Sequence, residues 1–346
     1  MYFRALEGVH LRKYTHLFIE IPTEGLAFIG QNASGKTTIL EAIHKMAILR
    51  GFGRDEEMIQ WGSQGYRIRA RLPDGIAEVR YARGQGTTLL WEGEVIQPLS
   101  RWIGHLPVVV LRPGEIEWIE GPAAFRRRWV DRLLSQISPE YLHALTPYVR
   151  ALSQRNALLG QDPLPHAQIE SWEQLLLTYG PFLQKKRIEL TQKLREYLQS
   201  FYATLGSEPI NLRYKPSVEP EASAWKKAWE KLRNREIALK RTLIGPHSED
   251  FVIELNHKQA RGYASEGQKK SLLIALKWAE AAYLSGLQAK GPILLLDDIG
   301  EKLDAFRLRA VGQLARLAGQ TFLTDVDPLR VEKAFPELPI YEIQNP

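Results

Sequence analysis

The chain has 346 residues, which is enough for two compact cores, and its composition of 44% hydrophobic and 25% charged residues excludes a disordered protein. It has no cysteine, so disulfides and thiolate metal sites are excluded. The net charge of +6 favours an anionic partner such as nucleic acid, but only mildly, because an unspecialised basic protein carries the same charge.

The sequence gives no sign of export or membrane insertion. Its N-terminus, MYFRALEGVHLRKYTHLF, scatters charges among the apolar residues and lacks the continuous apolar core of a signal peptide. The apolar runs LPVVVL and ILLL are much too short to cross a bilayer. We therefore predict a soluble, cytoplasmic protein without a membrane partner.

Short strands around one helix are predicted for the first hundred residues. LFIEI and LAFIG are rich in strand-forming residues, and YRIRARL and AEVRYAR alternate apolar with charged side chains. Apolar residues at helical spacing predict a helix over about 37–50. From about residue 122 the period is helical. FRRRWVDRLLSQI leaves Arg126, Arg127 and Arg128 largely outside its apolar stripe.

Further helices are predicted at Ser138-Pro139, over 172–205 and over 222–241. Gly180-Pro181 is expected to kink or split the second of them. DFVIEL, ILLLDD and QTFLT then predict strands on either side of the helical SLLIALKWAEAAYL. The predicted fold class is α/β, with a nucleotide-binding head formed by 1–110 and 242–346 and a helical insertion lobe at 111–241.

A phosphate-binding loop is the strongest signal in the chain, because GLAFIGQNASGKTTILEAIH places a glycine-rich loop between a strand and a helix. Backbone N–H groups of such a loop bind phosphates, with help from the helix N-terminus. Lys36 would neutralise β- and γ-phosphate charge, and the Thr37 hydroxyl would ligate Mg²⁺. The predicted ATP-binding residues here are Gly30, Gln31, Asn32, Ala33, Ser34, Gly35, Lys36, Thr37 and Thr38.

Two adjacent acids end a buried apolar strand in GPILLLDDIGEKLD. Asp297 would bind Mg²⁺ opposite Thr37, and Asp298 could polarise the attacking water, so Asp298 and Lys36 are the candidate catalytic residues. Upstream, Ser265, Gly267 and Gln268 precede an amphipathic helix and form a candidate anion site. This order of motifs is that of ABC-type and SMC-like ATPases, and it argues against kinases and GTPases.

The motifs together resemble the RecF family over nearly the whole chain. VVLRPGEIEWIEGPAAFRRRWVD, SPEYLHALTPYVRALSQRNALL, TLIGPHSEDF, ASEGQKKS and LLLDDIGEKLD are similar, in this order, to segments of that family. The resemblance implies an ABC/SMC-type head without a long coiled coil. It also implies an ATP-dependent homodimer in which Ser265 and Gly267 contact the γ-phosphate held by the partner subunit.

The resemblance further implies DNA held across the dimer, slow ATP hydrolysis for release, and RecO- and RecR-type partners in recombinational repair. Several positions depart from the family pattern. Ala33-Ser34 stands where glycine follows the asparagine, and Glu266 adds an acid to the Ser-x-Gly-Gln signature. Ser248 interrupts the segment after Gly-Pro-His, and Glu301-Lys302 replaces Ser-Glu.

Each of the weaker candidate residues has two possible interpretations. Gln60 or Gln64 would couple Mg²⁺ and water to the lobe, unless both are ordinary solvated residues. Thr324 would sense the γ-phosphate or simply end a strand, and Asp304 would approach the dimer interface or cap a helix. His247 is more readily explained as structural than as part of the site. The groups that could contact DNA phosphates, or could be ordinary charged surface, are Arg126, Arg127, Arg128, Lys269, Lys270, Tyr14 and the Arg12-Lys13 pair.

Three functions remain open at this stage. The leading hypothesis is an ATP-switched DNA clamp with weak, DNA-stimulated ATPase activity. The second is a scaffold that binds ATP and DNA without hydrolysis. The third is another ABC/SMC-like ATPase, such as a transporter or nuclease head, which the absence of a membrane-coupled segment disfavours.

Overall fold

The computed structural model describes residues 2–287, 291–300 and 303–343. Its strands are β1 (Ala5–Leu11), β2 (Tyr14–Glu20), β3 (Gly25–Ile29), β4 (Gly65–Leu72), β5 (Gly75–Ala82), β6 (Gly86–Trp91), β7 (Glu94–Val95), β8 (Val108–Leu111), β9 (Ile210–Lys215), β10 (Asp250–Leu255), β11 (Lys258–Gln259), β12 (Ile293–Leu296), β13 (Gln320–Asp325) and β14 (Ile340–Glu342). Its α-helices are α1 (Lys36–Ile48), α2 (Asp55–Met58), α3 (Glu117–Glu120), α4 (Ala123–Ile137), α5 (Pro139–Leu158), α6 (His166–Tyr202), α7 (Ala222–Leu239), α8 (Ala260–Tyr263), α9 (Glu266–Leu287), α10 (Ala305–Ala315) and α11 (Pro328–Ala334).

The chain folds into two compact units. The described parts of Met1–Ile116, Thr204–Gly206 and Lys270–Pro346 form the first, and Glu117–Ala203 with Ser207–Lys269 form the second. The first unit therefore ends its opening segment six residues after the predicted boundary at 110. Residues 242–269, predicted for the head, pack in the second unit because β10 pairs along its whole length with β9.

The first unit contains two sheets with a shared hydrophobic core. One is antiparallel, in the order β2-β1-β4-β5-β6-β7, and the other is parallel, in the order β14-β3-β13-β12-β8. Buried residues of both sheets and of α1 form one cluster, which includes Ile43 of the helix and Phe322 of β13. Since β3, β12 and β13 run parallel, the segments that follow their carboxyl ends meet at one edge of the sheet.

Within the first unit, the buried side chain of Gln320 in β13 forms hydrogen bonds with the backbone of two residues near the N-terminus. The Oε1 atom of Gln320 accepts a hydrogen bond from the N–H of Phe3 at 2.8 Å. Its Nε2 atom donates to the carbonyl oxygens of Phe3 at 2.9 Å and Pro22 at 2.8 Å. These three bonds satisfy backbone groups that burial would otherwise leave unpaired.

The second unit is helical, with the small antiparallel sheet β11-β10-β9. Its long helices are joined by a buried ionic cluster around Arg155 of α5. The Arg155 guanidinium donates to Glu236 of α7 at 2.6 Å and to Glu173 of α6 at 2.8 Å. Arg155 and Glu236 are both fully buried, so the pair is shielded from solvent. Each charge therefore depends on the other for compensation.

Of the kink or split predicted at Gly180-Pro181, the split is wrong. Gly180 and Pro181 lie inside α6, which continues without interruption for 37 residues. The proline removes one backbone hydrogen bond, but buried residues on both sides of it, including Leu176 and Leu183, follow a single stripe. Packing of that stripe holds the helix together across the proline. No helix in the described ranges is both long and apolar enough to span a membrane.

Candidate functional site

The predicted phosphate-binding loop joins the buried strand β3 to α1. Gly35 precedes the helix with a φ of 105°, in the left-handed region, and α1 begins at Lys36. A Cβ atom on Gly35 would lie 2.4 Å from the Oη of Tyr14, so conformation and packing both require glycine there. An α-helix leaves the N–H groups of its first turn without partners inside the helix, and the loop therefore ends at an anion-binding position.

The Lys36 side chain is folded over the loop. Its Nζ donates to the carbonyl oxygens of Gly30 at 2.7 Å and Gln31 at 2.8 Å, and the residue is only 4% exposed. The ammonium group is thus held beside the loop that would contain the phosphates. The hydroxyl of Ser34, in the same loop, is buried and has no hydrogen-bond partner in the described part of the chain. A bound anion could accept a hydrogen bond from it.

The two acids after β12 meet the first turn of α1 and the end of β13. The Thr37 hydroxyl donates to Oδ1 of Asp297 at 2.9 Å, and the Thr324 hydroxyl lies 2.9 Å from the same oxygen. The N–H of Asp298 donates to the Thr324 oxygen at 2.9 Å, and Asp298 adopts a φ of 47°. Oδ1 of Asp298 also lies 3.4 Å from the Thr324 hydroxyl, so both acids face the end of β13.

The Asp297 carboxyl has a raised pKa. Burial raises it most, and the neighbouring Asp298 raises it too, whereas the hydrogen bonds from Thr37 and Thr324 lower it. A cation would stabilise the charged form against this desolvation. The residues fit magnesium, because cis oxygen ligands of an octahedral ion with metal–oxygen bonds near 2.0–2.1 Å lie about 2.9 Å apart. The Thr37 and Asp297 oxygens have that separation.

The turn between β1 and β2 contacts the loop, and the sequence analysis did not recognise this role. Lys13 Nζ donates to the carbonyl of Ala33 at 3.1 Å, and Tyr14 Oη donates to the carbonyl of Ser34 at 3.4 Å. Arg12 forms an ion pair with the buried Glu41 of α1. Burial raises the pKa of Tyr14 to about 12, so it stays a hydrogen-bond donor. A cavity of about 200 Å³ lies between this turn, the loop and Asp298.

The predicted signature lies in the second unit, and it begins α9. The N–H of Gln268 donates to Oγ of Ser265 at 3.2 Å, and Oε1 of Gln268 accepts from the N–H of Ser265 at 2.8 Å. This reciprocal pair is a capping box, and it leaves the hydroxyl proton of Ser265 available to another acceptor. Gly267 lies half-buried in the first turn of α9. Glu208, which no pattern in the sequence marked, accepts from Nε2 of Gln268 at 2.6 Å.

The extra acid of the signature is paired. Lys269 Nζ lies 2.8 Å from an Oε1 of Glu266 and 2.7 Å from Oε1 of Glu120. These contacts raise the pKa of Lys269, first through Glu120 and then through Glu266. Lys269 is therefore engaged by two carboxylates, and this partly neutralises the Glu266 charge beside Ser265.

His247 takes the structural position expected of it. Its Nδ1 lies 2.7 Å from the Tyr148 hydroxyl and its Nε2 lies 3.1 Å from the carbonyl of Thr242. Both contacts suit the neutral ring, with Nε2–H as a donor and Nδ1 as an acceptor. Burial, together with nearby arginines, lowers the pKa of His247 to about 4. Ser248, the departure next to it, donates to the carbonyl of Gly245 at 2.9 Å and so closes the turn.

The prediction that the three arginines of α4 lie outside its apolar stripe is wrong for Arg126. Arg126 is 5% exposed and donates to both carboxylate oxygens of Asp250, at 2.7 and 3.0 Å, and to the carbonyl of Gly121 at 2.8 Å. It cannot reach DNA phosphates from there. Arg127 donates to the carbonyl of Glu249 at 2.7 Å, while the exposed Arg128 stacks on the ring of Phe125.

The remaining weak candidates differ in their surroundings. Gln60 binds the hydroxyl of Thr15 at 2.9 Å and Nδ1 of His10 at 3.0 Å, beside the turn that contacts the loop, whereas Gln64 is exposed. Asp304 caps α10 by accepting from the N–H of Arg307 at 2.9 Å. Glu301 and Lys302, noted as a departure from the family pattern, lie outside the described residues.

Known proteins with similar sequences cover almost the whole chain. The DNA replication and repair protein RecF of Synechococcus sp. (strain JA-3-3Ab) is 32% identical over 345 residues, spanning 94% of this chain and 91% of that protein. The protein of the same description from Heliobacterium modesticaldum is also 32% identical, over 94% of this chain and 92% of its own. The chain belongs to the RecF family. No protein-family model matched it.

Solved structures agree with this family assignment. The recombination mediator protein RecF with ATP, in the RecFOR pathway, superposes with a TM-score of 0.87 at 26% identity, covering 94% of this chain and 92% of that one. The Smc head domain derived from Pyrococcus furiosus gives a TM-score of 0.56 at 15% identity. The second likeness shows a shared fold alone, and with the first it confirms the predicted ABC/SMC-type ATPase fold of the RecF family.

Proposed function

We propose that the first unit binds ATP with Mg²⁺ and that this binding switches a DNA clamp of recombinational repair. The observation that carries the proposal is the contact of 2.9 Å between the Thr37 hydroxyl and the Asp297 carboxylate, beside the ammonium of Lys36. A magnesium ion would take both oxygens as ligands, and Lys36 would move from the loop carbonyls to the phosphates. The similar RecF protein solved with ATP supports the choice of nucleotide.

In the proposed complex two copies of the chain enclose two ATP molecules head to tail. The phosphate-binding loop of one copy would face the Ser265 signature of the other. Ser265 suits this role because its oxygen already accepts the Gln268 N–H, which fixes its position, while its hydroxyl proton stays available for a γ-phosphate oxygen. The N–H groups of the first turn of α9, including that of Gly267, would add further donors.

The dimer would hold duplex or gapped DNA through its phosphate backbone, and slow ATP hydrolysis would release it. The net charge of +6 supports an anionic partner. RecO- and RecR-type proteins are the proposed partners, supported by the likeness to a RecF protein of the RecFOR pathway. Asp298 would orient the attacking water, since its backbone is fixed by Thr324 at the end of the neighbouring strand.

Sedimentation with and without ATP tests the switch. Wild-type protein is expected to form a dimer with ATP, and a larger complex with DNA that carries a single-stranded gap. Lys36→Ala is expected to remain a monomer and to lose the stable DNA complex. The exposed Lys240→Ala at the end of α7 serves as a matched control for removal of a lysine. A monomer that binds DNA equally well without nucleotide would overturn the proposal.

Mixing two inactive variants tests whether the site is shared between copies. In Lys36→Ala the loop is damaged, and in Ser265→Asp the cap is kept but a negative charge faces the phosphate. A head-to-tail pair of these variants places both defects in one site and leaves the other site intact. Mixed protein should therefore recover part of the ATP-dependent dimer that neither variant forms alone. No recovery on mixing would contradict a site built from two copies.

Single-turnover hydrolysis separates the switch from a scaffold that only holds ATP. The switch requires slow hydrolysis that disappears in Asp298→Asn while ATP binding is kept. Hydrolysis at background level in the wild type would favour the scaffold. Because hydrolysis and dimerisation are measured separately, a scaffold that still dimerises remains distinguishable from a protein that does neither.

A further inference from the structure

A second cavity of the first unit lies at the opposite end of the parallel sheet from the phosphate-binding loop. It has a volume of about 620 Å³ and is lined by α10, by the end of α11 and the segment after it, and by Thr321 at the start of β13. The candidate acids lie near the other end of β13, beside Thr324. Nothing in the proposed ATP-binding function uses this cavity.

Three exposed cations line the cavity. Arg309 of α10 and Arg316, which caps the end of that helix, are seven residues apart, about two turns and 10 Å, so they point to the same side. Lys333 lies in the last turn of α11. None of the three forms an ion pair with any residue that the structure describes, although the protein pairs many of its other arginines. Unpaired cations at a concave surface attract an anionic ligand strongly, because the walls exclude water.

Small and apolar residues form the floor between these cations. Gly312 of α10 faces the carbonyl of Ala334 so closely that a Cβ atom would lie 2.3 Å from that oxygen. This close approach brings α10 against α11, and it leaves Ala315 and Ala318 as the residues lining the space beyond. Their short side chains leave room for an apolar side chain of a ligand. Phe335 closes the floor as a buried ring.

We propose that this cavity is a docking site for an acidic peptide segment of a partner protein, with an apolar residue seated between α10 and α11. The cations specify acidic side chains, and the floor of alanines specifies the apolar anchor. A DNA duplex presents an outer surface of charged phosphates, so it would not seat an apolar group on the floor of this concave site. The site would take a flexible segment that carries negative charges on both sides of one or two apolar residues.

Two carboxylates also line the cavity, and their effect on the affinity for an acidic peptide can be predicted. They belong to Glu24 and Glu337, and each would repel an acidic ligand. Glu24 is engaged by the hydroxyl of Thr23 at 3.1 Å. Removal of the Glu337 charge should therefore strengthen binding, whereas reversal of the Arg309 or Arg316 charge should weaken it. General attraction to a basic protein would give effects of the same signs, so a charge change at a residue outside the cavity is needed to identify a local site.

Fluorescence anisotropy with a labelled synthetic peptide tests the site. The probe is a short peptide of aspartates and glutamates around two leucines, with a serine-for-leucine version and a lysine-for-acid version as peptide controls. Full-length protein is expected to bind the first peptide, to bind the serine version at least tenfold more weakly, and not to bind the lysine version. Arg309→Glu/Arg316→Glu should raise the dissociation constant at least tenfold, and Glu337→Gln should lower it severalfold.

Matched variants keep the test decisive. Arg101→Glu makes the charge change of a single Arg309→Glu or Arg316→Glu substitution, but at an exposed arginine that does not line the cavity, and it should leave peptide affinity unchanged. Ala315→Trp fills the floor and should abolish binding without any change of charge. ATP binding and the thermal midpoint confirm that each variant is folded. The proposal is overturned if no peptide binds, if Arg101→Glu weakens binding equally, or if the cavity variants reduce affinity for duplex DNA but not for the peptide.

Discussion

At Gly35 of the phosphate-binding loop, the backbone conformation and the packing both require glycine. Its φ is 105°, and a Cβ atom would meet the Tyr14 hydroxyl at 2.4 Å. We expect Gly35→Ala to lower the free energy of unfolding by about 1–3 kcal/mol and to abolish ATP binding, because the loop must move away from Tyr14. Urea unfolding and equilibrium ATP binding measure the two effects.

Gly84→Ala is the control for this prediction. Gly84 also has a positive φ, of 75°, but a Cβ atom there would have no neighbour within 4 Å. Gly84→Ala should lower the free energy of unfolding only by the strain of a left-handed alanine, about 1–2 kcal/mol, and should leave ATP binding intact. Gly35→Ala combined with Tyr14→Ala should be less harmful than the sum of the two single changes. Strict additivity would show that the clash does not operate.

Asp297 should destabilise the protein when no cation is bound. Its folded-state pKa is raised above the usual value, chiefly by burial, so the folded protein binds a proton more tightly than the unfolded chain does. The associated stability is present below the unfolded pKa and is lost as pH rises through the folded pKa. At neutral pH without magnesium, Asp297→Asn should therefore raise Tm by a few degrees, and the gain should shrink as pH falls through the raised pKa.

With magnesium and ATP, the wild type should have a higher Tm than Asp297→Asn, because only the carboxylate can compensate the metal charge. Thermal unfolding at several pH values, with EDTA or with magnesium and ATP, measures both effects. Asp74→Asn, at an exposed turn between β4 and β5, should change neither. An Asp297→Asn protein that is less stable than the wild type in EDTA at neutral pH would contradict the assignment of burial as the dominant cause.

Local sequence predicted the residues that meet at the sheet edge, but not the residues that hold them. Lys36, Thr37 and Asp297 follow strand ends in recognisable patterns, and the structure brings Thr37 and Asp297 together over 260 positions of sequence. Tyr14 could not be assigned in this way, because its contact depends on how a hairpin folds back on the loop. The burial of Arg126 likewise depends on Asp250, 124 positions away.

The ionic cluster of the second unit joins three helices through one side chain. Arg155 of α5 is fully buried and binds Glu236 of α7 and Glu173 of α6. Arg155→Met should lower the free energy of unfolding by about 3–5 kcal/mol, because it removes the guanidinium that is hydrogen-bonded to the fully buried Glu236. Adding Glu236→Gln should restore part of the loss. Chemical denaturation of both variants tests this, and a double variant as unstable as the sum of both changes would contradict it.

The spacing of apolar residues predicted where helices begin, but it did not predict that α6 continues past Pro181. The helices α4, α5 and α7 begin within a few residues of the predicted positions, and Ser138 accepts a hydrogen bond from the N–H of Tyr141 as its cap. The break expected at Pro181 rests on a local cost of one hydrogen bond. Whether the stabilisation from tertiary packing exceeds that cost depends on the residues that α6 contacts. Local sequence does not reveal those contacts.

The complete molecule should bind DNA with a salt dependence that reports on its assembly. Each phosphate contact releases counterions, and the logarithm of affinity falls with the logarithm of salt by about 0.9 for each contact. If ATP places two copies on one DNA, the slope with ATP should be about twice the slope without it. Anisotropy titrations in 50–200 mM potassium chloride measure both slopes. Equal slopes would show that ATP does not change the number of chains on the DNA.

Among the residues that the structure describes, the strand that leads into the phosphate-binding loop pairs with strands about 290 to 310 residues later in the sequence. In the parallel sheet, β3 pairs with β13 on one side and β14 on the other. On a ribosome that adds about 5–20 residues per second, these partners would emerge roughly 15–60 seconds after the loop itself. The nascent protein would therefore acquire its nucleotide site only after β13 and β14 have emerged, long after the phosphate-binding loop has been synthesised.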